Sequence, residues 1–339
     1  MPVRCPFTPM LATAVDDFPA TGRELFYEPK FDGFRVIVCV HEDGGVHLYS
    51  RNRTRLTAAF PETAAAIRQY VPPGTVLDGE LVHWNATTGQ LDFTALQRRL
   101  RAGTRRAADL ARREPVTLVA FDCLHAPGHG GLRNRPLRER RRALEDLLRD
   151  VPPDGLVLLC PQVNDRGRAR LWLELLPAQR IEGLVVKPAD GVYRPGVRGW
   201  YKLKHRDVTT AICGGYVGPP ERPQSLIIGR HPSTGGRLRV VGHTTAPPPD
   251  LRAELDAELA RRTPAAEDHP WPAELPASWF GGLPAARPPT PYTRVTPTLV
   301  VEVAVDIATS HGRWRHLARL QDVRGDLRPT DVPKDLDLE

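Results

Sequence analysis

Only five of the chain's 47 basic residues are lysine: Lys30, Lys187, Lys202, Lys204 and Lys334. Arginine serves everywhere else. A lysine kept in so arginine-rich a chain marks a position that arginine cannot fill. Lysine can give up its proton and act as a nucleophilic amine, whereas arginine stays charged. Four of the five fall in three short segments that read as strands or strand ends: Glu28 to Arg35, Glu182 to Lys187 and Trp200 to Lys204. Any fold for this chain has to make use of all three.

A further segment, Asp78-Gly79-Glu80, adds acids. Lysines and carboxylates together suit attack of an amine on a phosphoryl group. A free lysine has a pKa of about 10.4, so only about one in a few thousand is neutral at pH 7. Nearby cations or desolvation must lower that value, and carboxylates would hold a metal ion. On a strand, Lys202 and Lys204 share one face while Leu203 points to the core. Asp78 and Glu80 share a face for the same reason. Glu182 and Lys187 do not, so one of them must sit at a strand end or a bulge. Taken singly, K-x-D-G, D-G-E and K-L-K each fit an ordinary turn or an exposed strand. Their joint occurrence in one basic chain carries the argument.

Residues 26–40 read as a turn followed by a strand, and 45–50 as a second strand across a hairpin. Helices are expected at 60–70, 91–100, 136–150 and 170–180, with Leu137, Leu144, Leu147 and Leu148 as the apolar stripe of the third. Strands are expected at 76–84 and 115–125. Beyond His205 the character changes to short β-rich segments at 211–218, 225–230 and 237–243. A helix at 250–262 and a strong strand at 298–306 follow. This succession suits a small OB-type barrel. The boundary is placed at about 205–209, dividing 1–207 from 208–339. A Pro-rich stretch at about 263–297 reads as a long loop.

The net charge of +7 favours polyanionic partners, though a chain rich in arginine could be basic for other reasons. No apolar run approaches a membrane span, and the first ten residues carry no apolar signal segment. A cytoplasmic protein is therefore expected. The cysteines, Cys5, Cys39, Cys123, Cys160 and Cys213, are scattered singly, which argues against a zinc site or disulfide framework, and burial is expected for all five.

In order and spacing these segments resemble the covalent nucleotidyltransferase superfamily of DNA ligases, RNA ligases and capping enzymes. Lys30 with Asp32-Gly33 matches its nucleophile motif. Ser50-Arg51-Asn52, Asp78-Gly79-Glu80, Phe121-Asp122, Glu182 to Lys187 and Trp200 to Lys204 resemble the motifs that follow. FTALQRR (93–99), KLKH (202–205) and Arg313-Trp314-Arg315-His316 are similar to bacterial ATP-dependent DNA ligases of the C type and to the ligase region of the D type. The resemblance covers nearly the whole chain. It implies an α+β fold: a nucleotidyltransferase domain with antiparallel sheets and flanking helices, then an OB-fold β-barrel that closes over ATP and later faces DNA.

The resemblance also implies roles. Lys30 would carry AMP, Glu28 would read the adenine amino group and Phe121 would stack on the base, although an aromatic there also suits a plain core. Arg35, Arg51 and Glu80 would contact ribose or phosphate. Glu80 and Glu182 would hold Mg²⁺ or Mn²⁺. Lys187, Lys202 and Lys204 would hold the α-phosphate, and Arg324, Arg313 or Arg315 would help pyrophosphate leave. The implied reaction is ATP-dependent sealing of nicked duplex DNA in repair, by a monomer, with a repair polymerase or end-binding protein as a candidate partner.

Two residues depart from the pattern. Arg53 stands where glycine is usual, so the turn differs or Arg53 accepts strain. Arg324-Gly325-Asp326-Leu327 lacks the last motif's final basic residue. Rival readings are a capping guanylyltransferase, an RNA ligase, an NAD-dependent ligase, and a DNA-binding protein with impaired adenylation. Retention of every motif lysine and carboxylate argues against the last. With only 29 residues before Lys30, no separate N-terminal DNA-binding domain is expected. DNA contact then falls to Arg98, Arg99, Arg101, Arg105 and Arg106, and to Arg138, Arg140, Arg141 and Arg142. A solvated helix face fits each run equally well.

Overall fold

A computed structural model describes residues 5–263, 268–276, 279, 290–310 and 312–336. The chain divides into two compact units, Met1–His205 and Arg206–Glu339. In the first unit the strands are β1 (Leu11–Val15), β2 (Leu25–Pro29), β3 (Phe34–Val40), β4 (Val46–Ser50) and β5 (Val76–Val82), followed by β6 (Thr117–Ala126), β7 (Gly130–Gly131), β8 (Val157–Leu159), β9 (Gly183–Pro188) and β10 (Arg198–Lys204). Its helices are α1 (Pro61–Tyr70), α2 (Phe93–Arg101), α3 (Thr104–Arg113), α4 (Leu137–Leu147) and α5 (Arg166–Leu175).

Two sheets result, ordered β1-β10-β9-β2 and β4-β3-β5-β6-β7. Pairing is antiparallel except that β1 runs parallel to β10 and β8 parallel to β6. Alternation decides which face each sheet buries. Leu184, Val186 and Leu203 pack with Tyr27 and with Ala169 of α5. Val36, Val38, Leu48, Leu77 and Leu118 pack with Ile67 of α1, Leu96 of α2 and Leu144 of α4. The intervening residues of both sheets are left to face each other.

The structure departs from the sequence expectation at several points, among them strands β1 and β8, which were not expected. Residues 25–29 form a strand, because Leu25 through Pro29 pair with Pro188 through Leu184. Helix α3 was not expected, since its sequence has no broad apolar stripe, and among its described side chains Ala107 alone is buried. Cys5 and Cys39 are joined as a disulfide, 34 residues apart, where burial of separate thiols was expected. Sequence spacing says nothing of two positions brought together by folding. Cys123, Cys160 and Cys213 are buried free thiols as expected.

In the second unit, β11 (Asp207–Val217), β12 (Ser225–Arg230) and β13 (Arg239–His243) precede α6 (Arg252–Ala260). Then come β14 (Glu274–Leu275), β15 (Thr290–Pro291), β16 (Thr293–Val305), β17 (Thr309–Ser310), β18 (Arg313–Trp314) and β19 (Arg319–Val323). The main sheet is antiparallel, ordered β13-β12-β11-β16-β19. Its two edges meet: Thr244 bridges Ala318, and the Ala318 N–H donates to the His243 carbonyl at 3.0 Å. A five-stranded sheet closed in this way is a small barrel of the OB type. Leu255 and Leu259 of α6 join its core. Much of the Pro-rich stretch at 263–297 lies outside the described residues; within it β14 pairs with β15, and β16 begins at Thr293.

Candidate active site

The face of β9 and its neighbours that turns away from α5 carries the motif lysines. Pairing sets Glu28 and Lys202 on either side of Val185, while Lys204 lies opposite Gly183. Lys30, just past β2, donates its N–H to the Gly183 carbonyl at 2.8 Å, and its own carbonyl accepts from Glu182 N at 3.0 Å. Glu182 therefore sits at the strand end, which resolves its mismatch of face with Lys187. Two glycines permit the approach. A Cβ on Gly183, whose φ is +142°, would lie 2.2 Å from the Leu203 carbonyl oxygen, and one on Gly33 would lie 2.2 Å from that of Leu81.

Around Lys30 the charges are dense. Its ammonium forms an ion pair with Glu182, which also receives Lys204 Nζ at 3.3 Å. The Lys30 side chain keeps 22% exposure, so a substrate can reach it. Burial pulls its pKa down, but the carboxylates of Glu182, Glu80 and Asp32 outweigh burial and hold it above the ordinary lysine value. Unliganded Lys30 is thus protonated, contrary to the lowered pKa that the lysine cluster suggested. Lys202 shows the opposite balance: burial first, then repulsion from Lys30 and Lys204, lower its pKa. Burial pushes Glu80 up to about 8, even against the pull of Lys30 and Arg35.

Glu28 and Lys187 lie together, both almost fully buried, with Lys187 Nζ 2.5 Å from Glu28. Lys187 also stands 4.4 Å from the Phe121 ring centre and 4.3 Å from that of Trp200. It stands at the aromatic end of the strand face that it shares with Val185, the residue paired with Lys202. Phe121 is half-buried, edge-on to Trp200. Arg35 of β3 registers with Glu80 of β5 and makes a two-pronged pair with Asp78, at 3.0 and 2.7 Å. Arg51 lies exposed in the turn after β4, outside this network.

Other side chains were not signalled by sequence. The Tyr193 hydroxyl donates to Asp78 at 2.6 Å and accepts from Met10 N–H at 3.0 Å. Gln162 Nε2 donates to Glu28 at 2.7 Å. Asp122, next to the aromatic of its motif, is fully buried and paired twice with buried Arg140, at 2.7 and 2.9 Å. Gln162 and Tyr193 belong to no motif, and Asp122 was marked only as the neighbour of Phe121, so their partners alone reveal what they hold.

Arginine runs proposed for DNA divide cleanly. Arg99 is buried, bonded to Glu62 and to the carbonyls of Ala59 and Glu114. Arg140 and Arg141 are buried as well, with Arg141 donating to the Cys160 carbonyl at 2.8 Å. Those three are structural. Arg98 and Arg138 are exposed but paired with Glu114 and Glu24, while Arg101, Arg105, Arg106 and Arg142 are exposed.

In the second unit, Arg324 is tied to Asp326 and to Glu302, the latter at 3.0 Å. Leu327, where a basic residue was expected, packs against Ile212, Ile227 and Trp271 in the barrel wall. Arg53 adopts a φ of +65°, so it takes the left-handed turn that glycine usually fills. Among the described residues, no group of three or more His, Cys, Asp or Glu forms a metal cluster, and no helix is long and apolar enough to cross a membrane.

A sheet bearing the motif lysines and facing a second sheet with an arginine, acids and an aromatic, joined in sequence to an OB-type barrel, defines a covalent nucleotidyltransferase architecture. A family profile for the ATP-dependent DNA ligase domain matches residues 9–204. The chain is 33% identical to DNA ligase C of Mycobacterium tuberculosis, over 97% of this chain and 93% of that protein. It is 34% identical to DNA ligase C2 of Mycolicibacterium smegmatis, over 96% and 92%. A solved Lig E DNA ligase, 17% identical, superposes with a TM-score of 0.52 over 93% of this chain and 98% of that one, which supports the fold. The chain belongs to the ATP-dependent DNA ligase family.

Proposed function

We propose that Lys30 is the residue that carries AMP, in an enzyme that seals nicks between a 5′-phosphate and a 3′-hydroxyl in duplex DNA. The observation that carries this is the partly exposed Lys30 ammonium, set on one sheet face with Glu28, Lys202 and Lys204 and held against Glu182. Deprotonated, Lys30 Nζ attacks the α-phosphorus of ATP; a P–N bond forms, the bond to the bridging oxygen breaks and pyrophosphate leaves. The AMP then passes to the 5′-phosphate of the nick. The 3′-hydroxyl displaces it, which closes the phosphodiester bond.

Each residue has a part in this reading. Lys202 and Lys204 stabilise the charge that develops on the α-phosphate. Phe121 and Glu28 form the base end, and Lys187 and Gln162 hold Glu28. Asp78 and Tyr193 hold Arg35 in place beside Phe121. Withdrawal of Glu182 from Lys30 removes the largest influence that favours the ammonium, while burial continues to favour the neutral amine. Glu80, whose carboxylate burial leaves undercompensated, and Glu182 are hard oxygen donors that fit Mg²⁺ or Mn²⁺. When bound, such an ion neutralises triphosphate charge.

In the same reading the domain boundary falls near residue 207, and the protein is a cytoplasmic monomer acting in repair beside a polymerase or end-binding protein. The DNA ligase C relatives support the DNA substrate. The test is incubation with α-labelled ATP, GTP or NAD in Mg²⁺. Label should stay on the protein with ATP alone, and excess EDTA should abolish it. Stable labelling by GTP would turn the assignment toward capping chemistry.

A further inference from the structure

Gln162 has no part in the motifs, yet the backbone around it fixes its place. It follows β8, and the next residue, Val163, is bridged to Tyr27 by two backbone hydrogen bonds, of 2.8 and 3.0 Å. Tyr27 immediately precedes Glu28. This bridge sets the Gln162 side chain beside the Glu28 carboxylate, where Nε2 lies 2.7 Å from Oε1. An ionised carboxylate only accepts hydrogen bonds, so the amide must turn its NH₂ toward Glu28. Lys187 holds the other oxygen at 2.5 Å. The Gln162 amide supplies the directional bond to one oxygen, while Lys187 sets its charge beside the other, so the amide fixes the carboxylate plane and the remaining lone pairs point in defined directions.

We propose that Gln162 is a specificity-determining residue of self-adenylation, acting by orienting Glu28. The inference rests on the reading of Glu28 as the adenine sensor. An oriented carboxylate accepts a hydrogen bond from the 6-amino group of adenine. It repels the 6-oxo group of hypoxanthine or guanine, because both are acceptors. A carboxylate free to rotate about its last bond loses part of that discrimination. Lys187 alone does not fix it, since a lysine ammonium is a point charge on a flexible stem that can follow either oxygen. Gln162 therefore acts on selection among purines and leaves the transfer chemistry at Lys30 to other residues.

Inosine triphosphate is the probe, because it carries a 6-oxo group in place of the 6-amino group and keeps the same triphosphate. The full-length protein is assayed for Lys30 adduct formation with ATP and with inosine triphosphate, giving KM and kcat for each. Gln162→Met keeps side-chain length and removes the donor. It should lower the ATP preference roughly tenfold, mainly through a higher KM for ATP, because the missing bond is charge-assisted. Gln162→Glu, which replaces the donor with a like charge, should lower it at least as much and serves if the methionine variant folds poorly. Equal losses for both nucleotides would mean a merely structural role, and an unchanged ratio would mean no role; either overturns the proposal. Glu28→Ala separates the layers. If it keeps the ATP preference, the reading of Glu28 itself fails. If it erases the preference while both Gln162 variants retain it, the Gln162 inference alone fails.

Discussion

The Lys30 ammonium rests against the Glu182 carboxylate, and Glu182 is pinned in turn by backbone bonds to Lys30 and His205. The ammonium and its counter-ion are thus held by one local set of strand ends. Removing the ammonium or making it permanent should have the same consequence. Lys30→Ala has no nucleophile, and Lys30→Arg has one that stays protonated. Neither should gain the mass of AMP on incubation with ATP, as measured on the intact protein. An adduct in Lys30→Arg would remove Lys30 from the mechanism.

Buried Arg140 and Asp122 make a second kind of prediction, because they lie beside Phe121 without reaching the reacting groups. Arg140 also donates to the carbonyls of Arg135 and Gly191, at 2.7 and 2.8 Å. Arg140→Met leaves the Asp122 carboxylate buried and unpaired, which should cost about 3–5 kcal/mol of stability. Urea unfolding should show the loss. A variant as stable as the parent would mean that Asp122 finds water or another donor.

Much of the site was legible because strand alternation is a rigid rule. Lys202 and Lys204 had to share a face, and they do, with Leu203 buried behind them. Placement across strands was not legible. Lys187 sits with Glu28 and Phe121 through a register that no local pattern encodes. Charge alone could not separate buried Arg99 from exposed Arg101, since both belong to one basic run at the end of α2 and only the helix turn sets them on different faces. Strand β2 was hidden by its shortness and by Pro29. The closure of the barrel through Thr244 and Ala318 depends on residues far apart in sequence.

Arg53 offers a test of strain. Its φ of +65° costs a non-glycine residue about 1 kcal/mol or more, while glycine would add about 0.5–1 kcal/mol of unfolded-state entropy. The side chain is exposed, so truncating it sacrifices little packing. Arg53→Gly should therefore raise stability slightly, by up to about 1 kcal/mol. A clear drop in the urea midpoint would show that the Arg53 side chain stabilises the folded state in solution.

Exposed and buried arginines should respond differently to substitution. Reversing Arg101, Arg105, Arg106 and Arg142 to glutamate should weaken binding of nicked duplex and flatten its salt dependence. The slope of log K against log salt should fall by about 0.9 for each DNA phosphate that the variant no longer neutralises. Arg99→Ala should instead destabilise the fold, because it leaves Glu62 and two carbonyls without their donor. If the four reversals leave the slope unchanged, those arginines are solvated faces and DNA is held elsewhere.

His243, at the end of β13, gives the barrel a pH dependence with a defined sign. Burial pushes its pKa down to about 4, from about 6.5 in the unfolded chain. Between those values the unfolded chain binds a proton that the folded barrel does not. Stability must then fall as pH drops from about 6.5 toward 4, and it is fully present above that window. The shift sets an upper bound of about 3 kcal/mol on the loss. His47 and His269 are also shifted down by burial, so the whole-protein slope contains their contributions. The difference between the parent and His243→Gln isolates the one group. Unfolding free energies of the two should converge as pH falls from 7 to 4.5, because the glutamine variant lacks this titration. Parallel curves across that range would show that His243 takes up its proton in the folded barrel as readily as in the unfolded chain.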